Sequence, residues 1–246
     1  MKPTGQIFME QTRYEFLSRS DQMEGVVAPP LEKSTDVSGL CITLPTEGQI
    51  DIPPLDLRDA IESRRSIRQY LSDSLSLDEL AYLLWVTQGI VHVQDPYYTL
   101  RNVPSAGGRH AFETYLCINR VEGIEPGLYR YLAFSHQLIR IETQVDYGEK
   151  ILDVCLNQAF VKNAAVVFLW TCVIYRMSWR YSERAYRLVH LDAGHVCQNL
   201  YLAAGQVGCG ACAIAAFDDH LAADLLHIDG IEEFVIYCAT VGKTII

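Results

Sequence analysis

FETYLCINRV, starting at Phe112, mixes polar with apolar positions and is read as a half-buried strand. AAVVFLWTCVIY, starting at Ala164, is apolar over 12 residues, too short to span a bilayer and suited to a central strand. GLYRYLAFSHQLIRIE predicts a hairpin turning near Phe134 to His136, and EFVIYCATVG predicts a last strand. The period lengthens in PLDLRDAIESRR, a predicted helix with Asp56 as N-cap and Leu57, Ala60 and Ile61 on one face. SIRQYL follows as a short extended piece, and SLDELAYLLWVTQGI opens on a capping box of Ser76 and Glu79. Helical residues are expected near 147–159, in DDHLAADLLHI, and over 181–207, where Leu188, Leu191, Leu200, Ala203 and Ala204 form the buried side. A loop is expected around DPYYTLRNVPSAGGRH.

Residues 1–55 read differently. Pro29, Pro30, Pro45, Pro53 and Pro54 interrupt them, so they are expected to form an extended arm packed over the domain or its partner. Residues 56–246 then form a single domain, with no Gly/Ser/Pro-rich linker in the middle. A hairpin, isolated strands and interposed helices predict an α+β fold around one mixed or antiparallel sheet.

Composition narrows the partners. Of 246 residues, 30 are Asp or Glu and 20 are Lys or Arg, a formal net charge of −10 that disfavours nucleic acid and anionic membrane surfaces. The opening MKPTGQIFMEQTRYEF carries charges where a signal peptide would be apolar. The longest stretch without Asp, Glu, Lys or Arg, Ala193 to Phe217, holds His195, Gln198, Asn199, Gln206 and four glycines, a poor choice for a lipid-facing helix. Eight cysteines lie mostly in apolar runs, as reduced core thiols do, so a cytoplasmic location is expected. Cys209 and Cys212 form one C-x-x-C, read as core thiols beside a glycine-rich turn.

Against the acidic background, IESRRSIRQYL places Arg64, Arg65 and Arg68 within five positions. Two of them fall at a predicted helix end, where cations offset the macrodipole. The alternative is an anion site made of guanidinium forks and the Ser66 hydroxyl. PSAGGRH, residues 104–110, and CGACAIAAFDD, residues 209–219, are small-residue turns that either simply turn or let backbone approach a flat ring. Gly208, Gly210 and Ala213 fit G-x-G-x-x-A, but a helix precedes them and an extended segment follows, the reverse of a dinucleotide fingerprint. His190 and His195, five apart, do not share a helix face as zinc ligands would, and are read as core or hydrogen-bonded.

Taken in order, RRSIRQY, PSAGGRH with FETYL, VEGIEPGLYRY, WRYSERAYRLVHLDAGHVCQNLYLAA and CGACAIAAFDD resemble the FMN-dependent nitroreductase superfamily, particularly its SagB-type dehydrogenase branch, over roughly residues 55–243. The resemblance implies a nitroreductase-like fold, a central mostly antiparallel sheet flanked by helices, in an intertwined homodimer. It implies that Arg64, Arg65, Ser66 and Arg68 hold the phosphate, ribityl chain and pyrimidine edge of FMN, joined by a basic residue near the C-terminus, here Lys243. It places Pro104, Ser105, Ala106 and Gly107 against the flavin from the other subunit, and Ala215 and Ala216 beside flavin N5.

The activity implied is hydride exchange between NADH or NADPH, the flavin and a small acceptor such as a nitroaromatic or quinone. Azoline-oxidising members of the branch carry a catalytic Lys-Tyr pair where this chain has Arg180 and Tyr181. Arginine keeps its proton near neutral pH and cannot serve as a base there, whereas Tyr181 can donate one. The packing alternative for this pair is a helix-start ion pair with Glu183 and a buried ring. Two other functions stay open: an azoline-type dehydrogenase acting on a modified peptide, and a catalytically idle flavin-binding subunit docking to partner enzymes through its arm.

Overall fold

The computed structural model describes residues 2–35, 40–46, 48–142 and 147–245. An arm carrying helix α1 (Thr4–Gln11) and strand β1 (Cys41–Thr43) leads to helices α2 (Leu57–Ser63) and α3 (Leu77–Gln88). Next come the hairpin β2 (Ile90–Gln94) and β3 (Tyr98–Arg101), strands β4 (Phe112–Ile118), β5 (Gly127–Leu132) and β6 (Gln137–Glu142), and helix α4 (Tyr147–Val154). The chain continues through β7 (Val166–Val173), α5 (Tyr175–Tyr181), α6 (Ala185–Gln206), β8 (Cys209–Ile214), α7 (Asp219–Leu226) and β9 (Glu233–Lys243).

Among the described residues the main sheet has seven strands in the order β1-β6-β5-β4-β7-β9-β8, and every strand pair in it is antiparallel. β7 is central and covered on both faces, which explains why its sequence runs apolar instead of alternating. Val166, Phe168 and Trp170 pack with α3 and α6, while Val167 and Leu169 pack with α4 and α7. Each such side chain, fully buried, contributes about 1.5–3 kcal/mol. Asp56 caps α2 by accepting from the Arg58 and Asp59 N–H groups, and the Ser76–Glu79 capping box opens α3, both as the sequence predicts.

Several expectations change. The arm is not uniformly extended: α1 forms, and β1 joins the main sheet beside β6. It is anchored by a buried charge cluster in which Arg176 pairs with Glu113 at 2.6 Å, both side chains 3% exposed. The Lys33 N–H donates to the same carboxylate at 2.8 Å, and Arg176 Nε donates to the Pro30 carbonyl at 2.9 Å. Removing one member of a buried pair of this kind costs about 3–5 kcal/mol. The expected loop after α3 contains the hairpin β2–β3. The long helix expected over 181–207 forms as α6 but begins at Ala185, because Ser182, with φ of 49° and ψ of −143° that no helix accommodates, separates it from the short helix α5 that ends at Tyr181. Leu191, expected inside, is 59% exposed. Of the two histidines read as core or hydrogen-bonded, His190 is hydrogen-bonded, its Nδ1 2.7 Å from the Tyr186 carbonyl, and both are exposed. Among the described residues no helix is long and apolar enough to cross a membrane.

Candidate functional site

The three arginines lie just past α2, on a segment clasped to the free edge of β8. Ser66 bridges Ala211 in parallel fashion, and the Ile67 N–H donates to the Ala211 carbonyl at 2.9 Å. Close approach depends on missing side chains: a Cβ at Gly210 would lie 2.5 Å from the Ile67 Cβ, and one at Gly242 would lie 2.8 Å from the Tyr70 ring. The small residues of β8 therefore make room for this segment of the same chain, a reason the sequence reading did not supply.

Arg64 sits with its guanidinium 5.3 Å from the Tyr201 ring centre, and Arg68 with its own 5.8 Å from that of Phe160. Arg65 Nη1 donates to the Glu62 and Arg64 carbonyls. Among the described residues no carboxylate pairs with any of the three. Ser66 meets the Tyr201 hydroxyl at 2.9 Å, and that hydroxyl accepts the Ala213 N–H at 2.7 Å. Tyr201 is thus the hub of this cluster. Nothing in NLYLAA distinguishes it from a core aromatic on a helix. Ala215 and Ala216 are exposed just beyond β8, where Gln158 Nε2 donates to the Ala216 carbonyl at 2.9 Å. Lys243, on β9, stands apart from the arginines in its bonding: its ammonium pairs with Glu79 and donates to the Val207 carbonyl at 3.1 Å.

A second cluster gathers Pro104, Ser105, Ala106 and Gly107 with Arg180 and Tyr181. Asp192, buried on α6, holds the turn by accepting from the Ser105 hydroxyl at 2.6 Å and the Ala106 N–H at 3.2 Å. Burial raises the Asp192 carboxyl above its ordinary range, while these two bonds act to lower it. An acidic residue on the apolar face of α6 was the one visible signal of this role. Gly107 (φ 61°) and Gly108 (φ 63°) adopt left-handed backbone, as a tight turn requires. A Cβ at Gly107 would lie 2.6 Å from the Tyr181 hydroxyl and 3.0 Å from Arg180 Nε. Arg180 is in the last turn of α5, not at a helix start, with its guanidinium 5.7 Å from the centre of the Tyr181 ring.

The two clusters share α6 but not a side of it. Asp192 and Tyr201 are nine residues apart, which on an α-helix is about 13 Å of rise and two and a half turns. They face opposite ways, so the arginine cluster and the 104–107 turn of one chain do not converge on one point. Cys209 and Cys212 are core thiols, as read from the sequence: both are reduced and buried, and an offset of three on strand β8 points them to opposite faces.

Comparison with known proteins agrees with this architecture. The sequence profile of the nitroreductase family matches residues 61–243. A protein of Methanocaldococcus jannaschii described as a nitroreductase is 32% identical over 195 residues, 79% of this chain and 94% of its own length. The trifolitoxin-processing protein TfxB of Rhizobium leguminosarum bv. trifolii is 35% identical over 147 residues, 56% of this chain but only 39% of TfxB. Among solved structures, a nitroreductase-like protein of Anabaena variabilis superimposes with a TM-score of 0.69 at 28% identity, over 87% of this chain and 45% of that one. One from Desulfovibrio desulfuricans, solved in complex with FMN, has the same fold at 19% identity, with a TM-score of 0.53 over 77% of this chain and 87% of that one. The chain belongs to the nitroreductase family of oxidoreductases.

Proposed function

We propose that this protein is an FMN-dependent oxidoreductase that moves hydride from NADH or NADPH to a small acceptor such as a nitroaromatic or quinone. One observation carries the reading: Arg64, Arg65 and Arg68, without carboxylate partners among the described residues, flank Ser66 in sequence on a segment fixed to β8. Their donors fit a phosphate dianion with an attached polar chain, since guanidinium forks and a hydroxyl satisfy phosphate oxygens in several directions. FMN, when bound, supplies hydride acceptance and donation at its N5. Arg64, Arg65 and Ser66 hold the phosphate and ribityl chain, and Arg68 offsets negative charge at the pyrimidine edge. Lys243 contributes less, because Glu79 already offsets its charge. Ala215 and Ala216 leave a flat ring unobstructed beside exposed backbone.

The site is completed by a second copy. Because the 104–107 turn and the arginine cluster of one chain face opposite sides of α6, Pro104, Ser105, Ala106 and Gly107 of a partner subunit close the cofactor site in a homodimer. Tyr181 accompanies that turn and donates a proton to the acceptor, while Arg180 stays charged. A small-molecule substrate then stacks in the slot left over the ring.

The test is spectroscopic. Purified protein reconstituted with FMN should bind it stoichiometrically, and anaerobic addition of NADH or NADPH should bleach the flavin absorbance, which an acceptor restores. Protein that binds no FMN overturns the reading. Flavin that binds but is never reduced by either nicotinamide supports an idle partner subunit instead. The likeness to TfxB favours a second reading, an azoline-type dehydrogenase acting on a modified peptide. Arg180 in place of lysine weighs against it. If that reading holds, Arg180→Lys raises oxidation of an azoline-bearing peptide in the absence of NAD(P)H.

A further inference from the structure

We infer that the cavity between the arm and the α5–α6 junction binds a flat, apolar substrate by its carboxylate, with Arg180 as the anchor. The inference rests on the oxidoreductase reading above and adds the substrate class. The cavity encloses about 470 Å³, the size of a small-ligand site. Tyr14, Leu17 and Met23 of the arm form its apolar walls, with Tyr181, Ser182 and Arg180 opposite.

Two cationic side chains line this space, and they are not equivalent. Arg19 is paired with Glu24 at 3.0 Å. Arg180 has no carboxylate partner among the described residues, only the adjacent Tyr181 ring. The charge of Arg180 also acts on Arg109, which is 0% exposed, does not line the cavity, and is likewise without a carboxylate partner among the described residues. Arg109 donates through Nε to the Arg176 carbonyl at 2.8 Å and through Nη1 to that of Tyr97, its guanidinium lies 4.8 Å from the Trp179 ring centre, and its Nη2 has no partner. Burial first, then the charges of Arg176 and Arg180, hold Arg109 down at about 10, still protonated at neutral pH. The cavity therefore presents at Arg180 a positive charge that no described carboxylate neutralises, beside apolar walls. The complementary ligand is an aromatic or otherwise flat body bearing one carboxylate.

The position of the anchor suits substrate selection. Arg180 and Tyr181 touch Gly107 on one side and the arm cavity on the other, so a ligand held at Arg180 extends toward the turn proposed to border the flavin. The arm also fixes the backbone that aims them. Ser182 holds a positive-φ conformation that is strained for a non-glycine residue, and its hydroxyl meets that of Ser18 at 3.0 Å.

The experiment is calorimetric titration of full-length protein, with and without FMN, using 4-nitrobenzoate and its neutral isostere 4-nitrobenzamide. Wild type should bind the acid about ten-fold or more tightly than the amide. Arg180→Gln should abolish that preference and Arg180→Lys should retain part of it, while Leu17→Ala should weaken both ligands alike. Equal binding of acid and amide by wild type, or a preference that survives in Arg180→Gln, overturns the inference. Even if a variant fails to fold, the wild type can overturn the inference: equal binding of the two ligands does so, and so does an acid preference that vanishes when FMN fills the Arg64–Arg68 cluster. Since binding is read directly, an acid preference in protein whose flavin is not reduced leaves the pocket assignment standing and removes the oxidoreductase reading. Flavin turnover without acid preference does the reverse.

Discussion

Ser66 and Tyr201, 135 positions apart in the chain, meet through their hydroxyls at 2.9 Å, and Tyr201 also accepts the Ala213 N–H at 2.7 Å. One phenol thus ties the arginine segment, α6 and β8 together. Tyr201→Phe keeps the ring beneath Arg64 but strands both partners. It should weaken FMN binding about five-fold, the loss of one hydrogen bond worth about 1 kcal/mol, as read by quenching of flavin fluorescence. An unchanged affinity argues against a cofactor role for this cluster.

Arg64 offers a cleaner separation of binding from folding. Its guanidinium contacts a ring and no carboxylate, and the residue is only half-buried. Arg64→Ala should lower FMN affinity ten- to hundred-fold, the range of about 1.5–3 kcal/mol for a charged hydrogen bond. Stability in urea should fall by less than about 1 kcal/mol. Equal losses in both would mean that Arg64 serves the helix end alone.

Gly210→Ala should do the opposite and act through packing. Its new Cβ would sit 2.5 Å from the Ile67 Cβ, so the 64–68 segment must lift from β8. A cost of about 1–3 kcal/mol is expected, with a parallel fall in FMN affinity. Adding Ile67→Ala should restore part of the affinity, and a double variant as weak as the single one would disprove the steric account.

His110 makes stability depend on pH. Burial, reinforced by the charge of Arg101, holds its imidazole down at about 3, against an ordinary value of 6.5. Between those values the unfolded chain takes up a proton that the native chain refuses. The stabilisation is complete above about pH 6.5 and declines as pH falls, by about 1.4 kcal/mol per unit at most. His110→Asn suits the positive φ of 43° and removes the titration. Urea denaturation from pH 8 to pH 5 should show the wild-type and variant stabilities converging or crossing toward acid, and parallel curves would exclude His110 as the source.

Thiol chemistry should be quiet. Burial pushes Cys209 up to about 12 and raises Cys212, and Cys41 alone of the eight is not buried. Ellman's reagent at pH 8 should modify about one thiol per native chain, reaching all eight in denaturant. Rapid reaction at Cys209 would restore the C-x-x-C as a redox motif.

Much of the fold was legible where burial alone dictates sequence. Val166 to Val173 had to be a strand because both its faces are covered, and Ser76 with Glu79 announced α3 through purely local bonds. Long-range causes left weaker traces. The break between α5 and α6 sits at Ser182, whose positive φ is sustained by a fold that the neighbouring residues do not encode. Leu191 matches the apolar period of α6 yet faces outward, because periodicity identifies a stripe without saying which neighbour covers it. The arginines were visible as charge out of place. Tyr201, which organises them, looks like any core aromatic, and the arm's part in the α5–α6 cavity depends on contacts across more than 150 residues.

The clasp of Ser66 and Ile67 on β8 bears on solubility as well. β8 is an outermost strand of the sheet, and its six residues, CGACAI, carry no charge. A bare edge of that composition is a template for pairing with strands of other molecules, and nothing on it repels them. The arginine segment occupies that edge and lines it with like charges. Whatever steadies the segment, a bound phosphate included, also shields the molecule from self-association, so aggregation on storage should rise in variants that loosen it.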